Sequence, residues 1–229
     1  MHYEGQPLIE AKQIAYQFSG EIIPLFSGID MVLNAEQHAL VGRNGIGKSW
    51  LASILTRQIP PTEGSVNHFC DVGYLSQGLT SFSGNAAEMD QHFSFLDKNQ
   101  SALHNFQLQS PGWPEDRYRT RLAQLRIRGE EALKPVGCLS GGEQLKVALA
   151  CLFCGPYAPA LLLLDEPDNH LDIESRELLQ KALHGYTGAM VLISHDAQFI
   201  ANIGNMQELL LGSSEDFLHK KTLKSFSER

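Results

Sequence analysis

The octet Gly42-Arg43-Asn44-Gly45-Ile46-Gly47-Lys48-Ser49 stands between an apolar triplet, Ala39-Leu40-Val41, and a run of helical composition that reaches about Arg57. Pro60-Pro61 stops that run. The triplet reads as a short buried strand, so the octet is a strand-to-helix turn, the context a phosphate loop requires. Glycines let such a turn adopt positive φ and aim its N–H groups inward. With the helix N-terminus they form an anion cradle. Lys48 is placed to neutralise β- and γ-phosphates, and the Ser49 hydroxyl to ligate Mg²⁺, a cation that favours oxygen donors.

Downstream, Leu161-Leu162-Leu163-Leu164 is continuously apolar and ends in Asp165-Glu166. An unbroken apolar strand belongs in the middle of a sheet covered on both faces. Its carboxylates emerge at the carboxyl edge, where open α/β sheets bind ligands. Asp165 is expected to hold Mg²⁺ through water. Glu166, the next residue, is expected to polarise the attacking water as a general base. His195 follows another apolar run, Met190 to Ser194, and is expected beside the γ-phosphate. Gln77, after Val72-Gly73-Tyr74-Leu75, is expected to reach Mg²⁺ or the attacking water.

Ser140-Gly141-Gly142-Glu143 has the form of a capping box, with Ser at the N-cap and Glu at N3. Two glycines in a first turn weaken a helix by roughly 1 kcal/mol each. Bare N–H groups at a helix start, however, make an anion site. A second phosphate-binding surface in one chain suggests that two nucleotide-binding heads complete one site between them.

The rest of the sequence is consistent with this reading. The chain has 229 residues, 43% hydrophobic and 19% charged, which fits a globular protein with a sizeable core. Its longest strongly apolar run, Ala158 to Leu164, is too short to span a bilayer. The acidic start, Met1-His2-Tyr3-Glu4, is unlike a secretory signal, so a cytoplasmic location is expected. The net charge of −8 disfavours extensive wrapping by nucleic acid. Arg117, Arg119, Arg121, Arg126 and Arg128 are interleaved with Glu115, Asp116, Glu130 and Glu131 and read as solvated helix faces. Cys151 and Cys154 read as buried thiols on an apolar helix.

Leu8 to Leu33 reads as antiparallel strands, with Ser19-Gly20 and Ser27-Gly28 as turn signals. From Gly78 to Pro135 the composition turns polar, and Leu122, Leu125 and Ile127 suggest helix. Strands are expected again at 161–164, 190–194 and 208–211, with helices over 174–184 and 197–203. Alternating strands and helices imply a mostly parallel sheet. The expected organisation is one domain over 1–229, with 1–77 and 136–229 as core and β subdomain and 78–135 as a helical subdomain.

Together these motifs, in this order, resemble the ATP-binding cassette (ABC) ATPases over nearly the whole chain. Gly42–Ser49 matches the Walker A motif, Leu161–Glu166 Walker B, Gln77 the Q-loop, Leu139–Glu143 the signature and His195 the switch histidine. Asp165-Glu166-Pro167-Asp168-Asn169-His170-Leu171-Asp172 is similar to the ABC-F subfamily, whose members lack membrane domains and often act on the ribosome. The resemblance implies a P-loop NTPase α/β fold with an antiparallel β subdomain and a helical subdomain. It implies ATP and Mg²⁺ as ligands, and adenine stacking on Phe18, with Tyr16 as a rival. It implies head-to-tail pairing, in which Ser140, Gly141, Gly142 and Glu143 of one cassette cap ATP on another and Asp172 signals across the interface. The second cassette is either another copy of the chain or a tandem domain. Ribosome or RNA is the implied partner; a membrane transporter subunit and a non-hydrolysing ATP sensor are the alternatives. Trp50 departs from the pattern by replacing a Thr that commonly touches the α-phosphate, so Trp50→Thr is expected to tighten ATP binding. Asp168 stands where Thr is common and Lys146 where Arg is frequent.

Overall fold

In the computed structural model, residues 6–75, 96–154, 159–169, 171–211 and 220–222 are described. The chain divides into two compact units. The first comprises Met1–Tyr74, Pro159–Pro167 and Thr187–Arg229; the second comprises Leu75–Ala158 and Asp168–Tyr186.

The first unit carries two sheets. Strands β1 (Ile9–Tyr16), β2 (Phe26–Leu33) and β4 (Glu63–His68) form an antiparallel sheet in the order β2-β1-β4. The register across β1 and β2 shifts after Ala11, and Gln13 there has φ 50°. Ser27-Gly28 is part of β2 and not a turn; the positive φ of Gly28, 66°, bends the strand without ending it. The second sheet has the order β5-β6-β7-β3-β8-β9. Its strands are β3 (Gln37–Val41), β5 (Val72–Leu75), β6 (Leu161–Asp165), β7 (Ala189–Ile193), β8 (Gln207–Leu210) and β9 (Lys220–Thr222). Pairs β3–β7, β3–β8 and β6–β7 are parallel, and β9 runs antiparallel to β8.

Every residue of β6 and β7 is buried, as their unbroken apolar sequences require of central strands. Helix α1 (Lys48–Leu55) leaves β3 through the glycine-rich turn and buries Leu51, Ala52, Ile54 and Leu55. The chain enters α6 (Ala197–Ile203) after β7, with the Asp196 carboxylate accepting from the N–H groups of Gln198 and Phe199.

The second unit is helical: α2 (Ala102–Gln109), α3 (Glu115–Gln124), α4 (Gly141–Phe153) and α5 (Ile173–His184), with short 3₁₀ turns at Gly129–Leu133 and Val136–Cys138. Helix α3 stops earlier than the Leu122/Leu125/Ile127 spacing suggests. Arg126 adopts φ 66°, which ends the helix, while Ile127 still turns inward and is 1% exposed. Phe106 and Tyr118 are the aromatic centre of this unit, 5.0 Å apart edge-to-face. The Tyr118 hydroxyl donates to the Ser110 carbonyl at 2.6 Å, so the ring is buried without an unpaired oxygen. Asn105 knits the entry to α2: its amide donates to the carbonyls of Asp97, Gln100 and Ser101, and its oxygen accepts from the Asp97 N–H.

Candidate functional site

Gly42 to Gly47 wrap the start of α1. Gly45 has φ 77° and Gly47 φ 100°. A Cβ at Gly47 would lie 2.8 Å from Leu25 Cδ2 and 2.9 Å from Phe26 Cε1, so both conformation and room demand glycine there. The Lys48 ammonium folds back across the loop and donates to the carbonyls of Gly42 at 2.9 Å and Arg43 at 3.1 Å. It is buried, and desolvation pushes its pKa below the ordinary lysine value, opposed by the charges of Glu166 and Asp165. Arg43, Asn44 and Gly45 are exposed along the loop; Ile46 is half-buried.

Asp165 ends β6 beneath this loop. It is 1% exposed, its carboxylate is hydrogen-bonded by Ser49, and Oδ1 is buried with no partner among the described residues. Burial pushes its pKa up to about 6; Glu166 adds to the rise, and the Ser49 bond, Lys48 and His195 oppose it. A buried carboxylate oxygen without a donor, beside a serine hydroxyl, is the donor set a hard divalent cation takes. The residues therefore fit Mg²⁺. Tyr74, which nothing in the sequence singles out, buries its hydroxyl with no hydrogen-bond partner among the described residues and lies within electrostatic reach of Asp165; burial is the main reason its phenol pKa is raised.

Glu166 departs from its neighbour sharply. Its backbone takes φ 49°, an unfavourable region for a side chain of its size, while its N–H donates to the Ile193 carbonyl at 2.8 Å. That bond extends the β6–β7 ladder by one step and swings the Glu166 side chain toward the residues after β7. There Oε1 meets His195 Nε2 at 2.6 Å. The Glu166 side chain is mostly covered, whereas that of His195 is 43% exposed, so the pair opens to solvent on the imidazole side. Lys48, Ser49, Asp165, Glu166 and His195 thus converge within the first unit. Gln77 lies outside the described residues.

An aromatic group flanks α1. Trp50 stacks on Tyr16 with centroids 4.7 Å apart and 24° between planes, and Phe18 sets its edge against Trp50 at 4.9 Å and 88°. Phe18 remains 38% exposed. The indole at position 50 is therefore built into the same ring cluster as both aromatic candidates.

In the second unit, Ser140 caps α4 as its sequence implies. Its Oγ accepts from the Glu143 N–H at 3.3 Å, and Glu143 Oε2 accepts from Ser140 N–H and Oγ, both at 2.8 Å. The same two bonds hold the Glu143 carboxyl below its usual range. Gly141 has open space around it. A side chain at Gly142 would meet Ser175 Oγ at 2.7 Å. Asp172 caps α5, accepting from the Ser175 N–H at 2.7 Å. The arginines behave as solvated faces: Arg119 pairs with Glu115 at 2.7 Å, and Arg117 lies over the Trp113 ring at 4.3 Å. Cys151 and Cys154 are free thiols whose pKa values burial raises.

Residues 27–169 match the ABC transporter family. The putative ATP-binding protein YdiF of Bacillus subtilis is 36% identical over 218 residues, which cover 93% of this chain and 31% of YdiF. ATP-binding cassette sub-family F member 3 of Pongo abelii is 33% identical over 197 residues, 85% of this chain and 26% of that protein. The chain thus spans about a third or less of the length of these relatives. In structure it resembles the dimeric cassette MJ0796 in a post-hydrolysis state bound to ADP and Pi, with a TM-score of 0.70, 20% identity, and coverage of 95% of this chain and 100% of that one. The parallel sheet flanked by helices, with its antiparallel β sheet, is the ABC form of the P-loop NTPase fold. The chain belongs to the ABC transporter family of ATPase cassettes, with its curated relatives in the ABC-F branch.

Proposed function

We propose that this chain binds Mg-ATP on its first unit and hydrolyses it when a second cassette closes over the nucleotide. One observation carries the reading. Lys48, the Ser49–Asp165 pair with its partnerless buried oxygen, and the Glu166–His195 pair all converge where the glycine-rich turn enters α1.

The backbone of Gly42, Arg43, Asn44, Gly45, Ile46 and Gly47 surrounds the phosphates, and Lys48 leaves its two loop carbonyls for their oxygens. Ser49 and Asp165, with Gln77, would hold Mg²⁺, which would supply charge neutralisation to the triphosphate when bound. Phe18 carries the adenine, with Tyr16 as its rival. Glu166 accepts the proton of the attacking water through Oε2, while His195, donating from Nε2 to Oε1, fixes the carboxylate and faces the γ-phosphate. Catalysis is then positioning and charge stabilisation. The partner cassette contributes Ser140, Gly141, Gly142 and Glu143 to cap the triphosphate, and Asp172 to the interface. We assign 1–77 and 136–229 to the catalytic core with its β subdomain and 78–135 to a helical subdomain. The partner is a second copy or a tandem domain.

The cellular reading we favour is a cytoplasmic, ribosome-associated ATPase. It is supported by Asn169-His170-Leu171-Asp172 and by the ABC-F relatives. No helix among the described residues is long and apolar enough to cross a membrane. The central test is Glu166→Gln, which is expected to abolish phosphate release and trap an ATP-dependent pair on gel filtration. Wild-type turnover by this variant removes Glu166 from its role. ATP-dependent co-sedimentation with ribosomes supports the cellular reading; co-sedimentation with membranes instead overturns it in favour of a transporter subunit.

A further inference from the structure

The start of α4 and the start of α5 meet at one oxygen atom. Ser175 is 6% exposed. Its N–H donates to Asp172 Oδ1 at 2.7 Å, and its hydroxyl donates to the same carboxylate. The Asp172 side chain, itself at the surface, is thus held by two bonds from a single buried residue. On its other side, Ser175 Oγ occupies the space a side chain at position 142 would fill, 2.7 Å from where that Cβ would stand; Ser175 Cβ is 4.0 Å from the same point. The glycine at 142 therefore has a local cause. The backbone of the Gly141-Gly142 turn lies directly against the hydroxyl that fixes Asp172. Gly141, with nothing near it, carries no such constraint.

We propose that Ser175 is a positioning residue: its hydroxyl locks the Gly141-Gly142 turn and Asp172 into one rigid surface that meets the nucleotide of a second cassette. This rests on the reading above that these residues face a partner's ATP. Ser175 touches neither nucleotide nor water in that reading and acts only through its two neighbours. A hydroxyl is the group the geometry requires. Alanine leaves the Asp172 carboxylate with the backbone N–H alone and opens a gap beside Gly142.

The test compares Ser175→Ala and Ser175→Thr, each in the Glu166→Gln background, by ATP titration of pairing on analytical ultracentrifugation. Nucleotide affinity of the lone head is measured in parallel with a fluorescent ATP analogue, and the melting temperature by calorimetry. Ser175→Ala is expected to raise the ATP concentration for half-pairing about tenfold, with lone-head affinity within twofold and a melting temperature lowered only by the small cost of the lost hydroxyl bond. Ser175→Thr, which keeps the hydroxyl, is expected to restore pairing to within threefold. If Glu166→Gln alone fails to pair with ATP, the two-cassette reading falls first. If it pairs and Ser175→Ala pairs at the same ATP concentration, or Ala and Thr behave alike, the hydroxyl has no positioning role. A loss of pairing matched by an equal loss of lone-head affinity, or by unfolding at the assay temperature, assigns Ser175 to folding and overturns the proposal.

Discussion

Asp165→Asn should make the nucleotide-free protein more stable at neutral pH, although it removes a residue central to the proposed site. Asp165 titrates at about 6 against an ordinary 3.8, first because it is buried. A rise of roughly two units is about 3 kcal/mol of penalty on the ionised form. The sign follows from the direction. With the folded value above the unfolded one, the penalty is absent below about pH 4 and complete above about pH 6, so this group's contribution favours the folded state more as pH falls through that window. Asparagine deletes the charge, and its oxygen still accepts from Ser49. Its amide hydrogens enter a buried position next to Lys48, at a cost of about 1–2 kcal/mol. The expected net gain at pH 7.5 is about 1–2 kcal/mol, or on the order of 4 °C in a domain of this size. Scanning calorimetry of both proteins at pH 7.5 and pH 4 reads it. At pH 4 the gain should vanish and the amide cost alone remain. In saturating Mg-ATP at pH 7.5 the order should reverse, because the parent gains binding energy the variant lacks. An equal gain at both pH values, or none at pH 7.5, refutes the account of Asp165 as a desolvated carboxylate kept for a cation.

Two other substitutions probe separate parts. Trp50→Thr removes the stack on Tyr16 and the edge contact of Phe18, each worth about 0.5–1.5 kcal/mol beyond the area it buries, so the melting temperature should fall. By titration calorimetry ATP should bind more tightly through the restored hydroxyl; a weaker or unchanged Kd shows that the indole supports the base. Asn105→Ala strands the Asp97 N–H and removes the amide from three carbonyls in a residue 2% exposed. A loss of about 2–4 kcal/mol in urea unfolding is expected, and a loss below 1 kcal/mol would show that water replaces the amide.

Much of the site was legible because its chemistry is local. A strand, a glycine turn and Lys48-Ser49 lie within eleven consecutive residues, and the backbone angles that make a cradle are set by glycine itself. The Ser140–Glu143 box and the all-apolar β6 are likewise short-range facts, and the structure reproduces both. Strand β4 is not legible because Glu63-Gly64-Ser65-Val66-Asn67-His68 has little apolar alternation; its place beside β1 comes from pairing with a distant strand. The end of α3 is hidden because burial of Ile127 continues past Arg126, where the backbone has already turned left-handed.

The order and spacing of the phosphate loop, the carboxylate pair, the capped glycine turn and the histidine by themselves determined the family and the class of ligand. Those signals depend on residue type and near neighbours in the chain. Tertiary structure alone decided three things: that Glu166 turns back through a left-handed backbone onto His195, that Asp165 is buried deeply enough to leave an oxygen without a partner among the described residues, and that a side chain at position 142 would meet the Ser175 hydroxyl. Each depends on a distance between segments far apart in sequence, set by sheet register and helix packing, and no local pattern encodes such a distance.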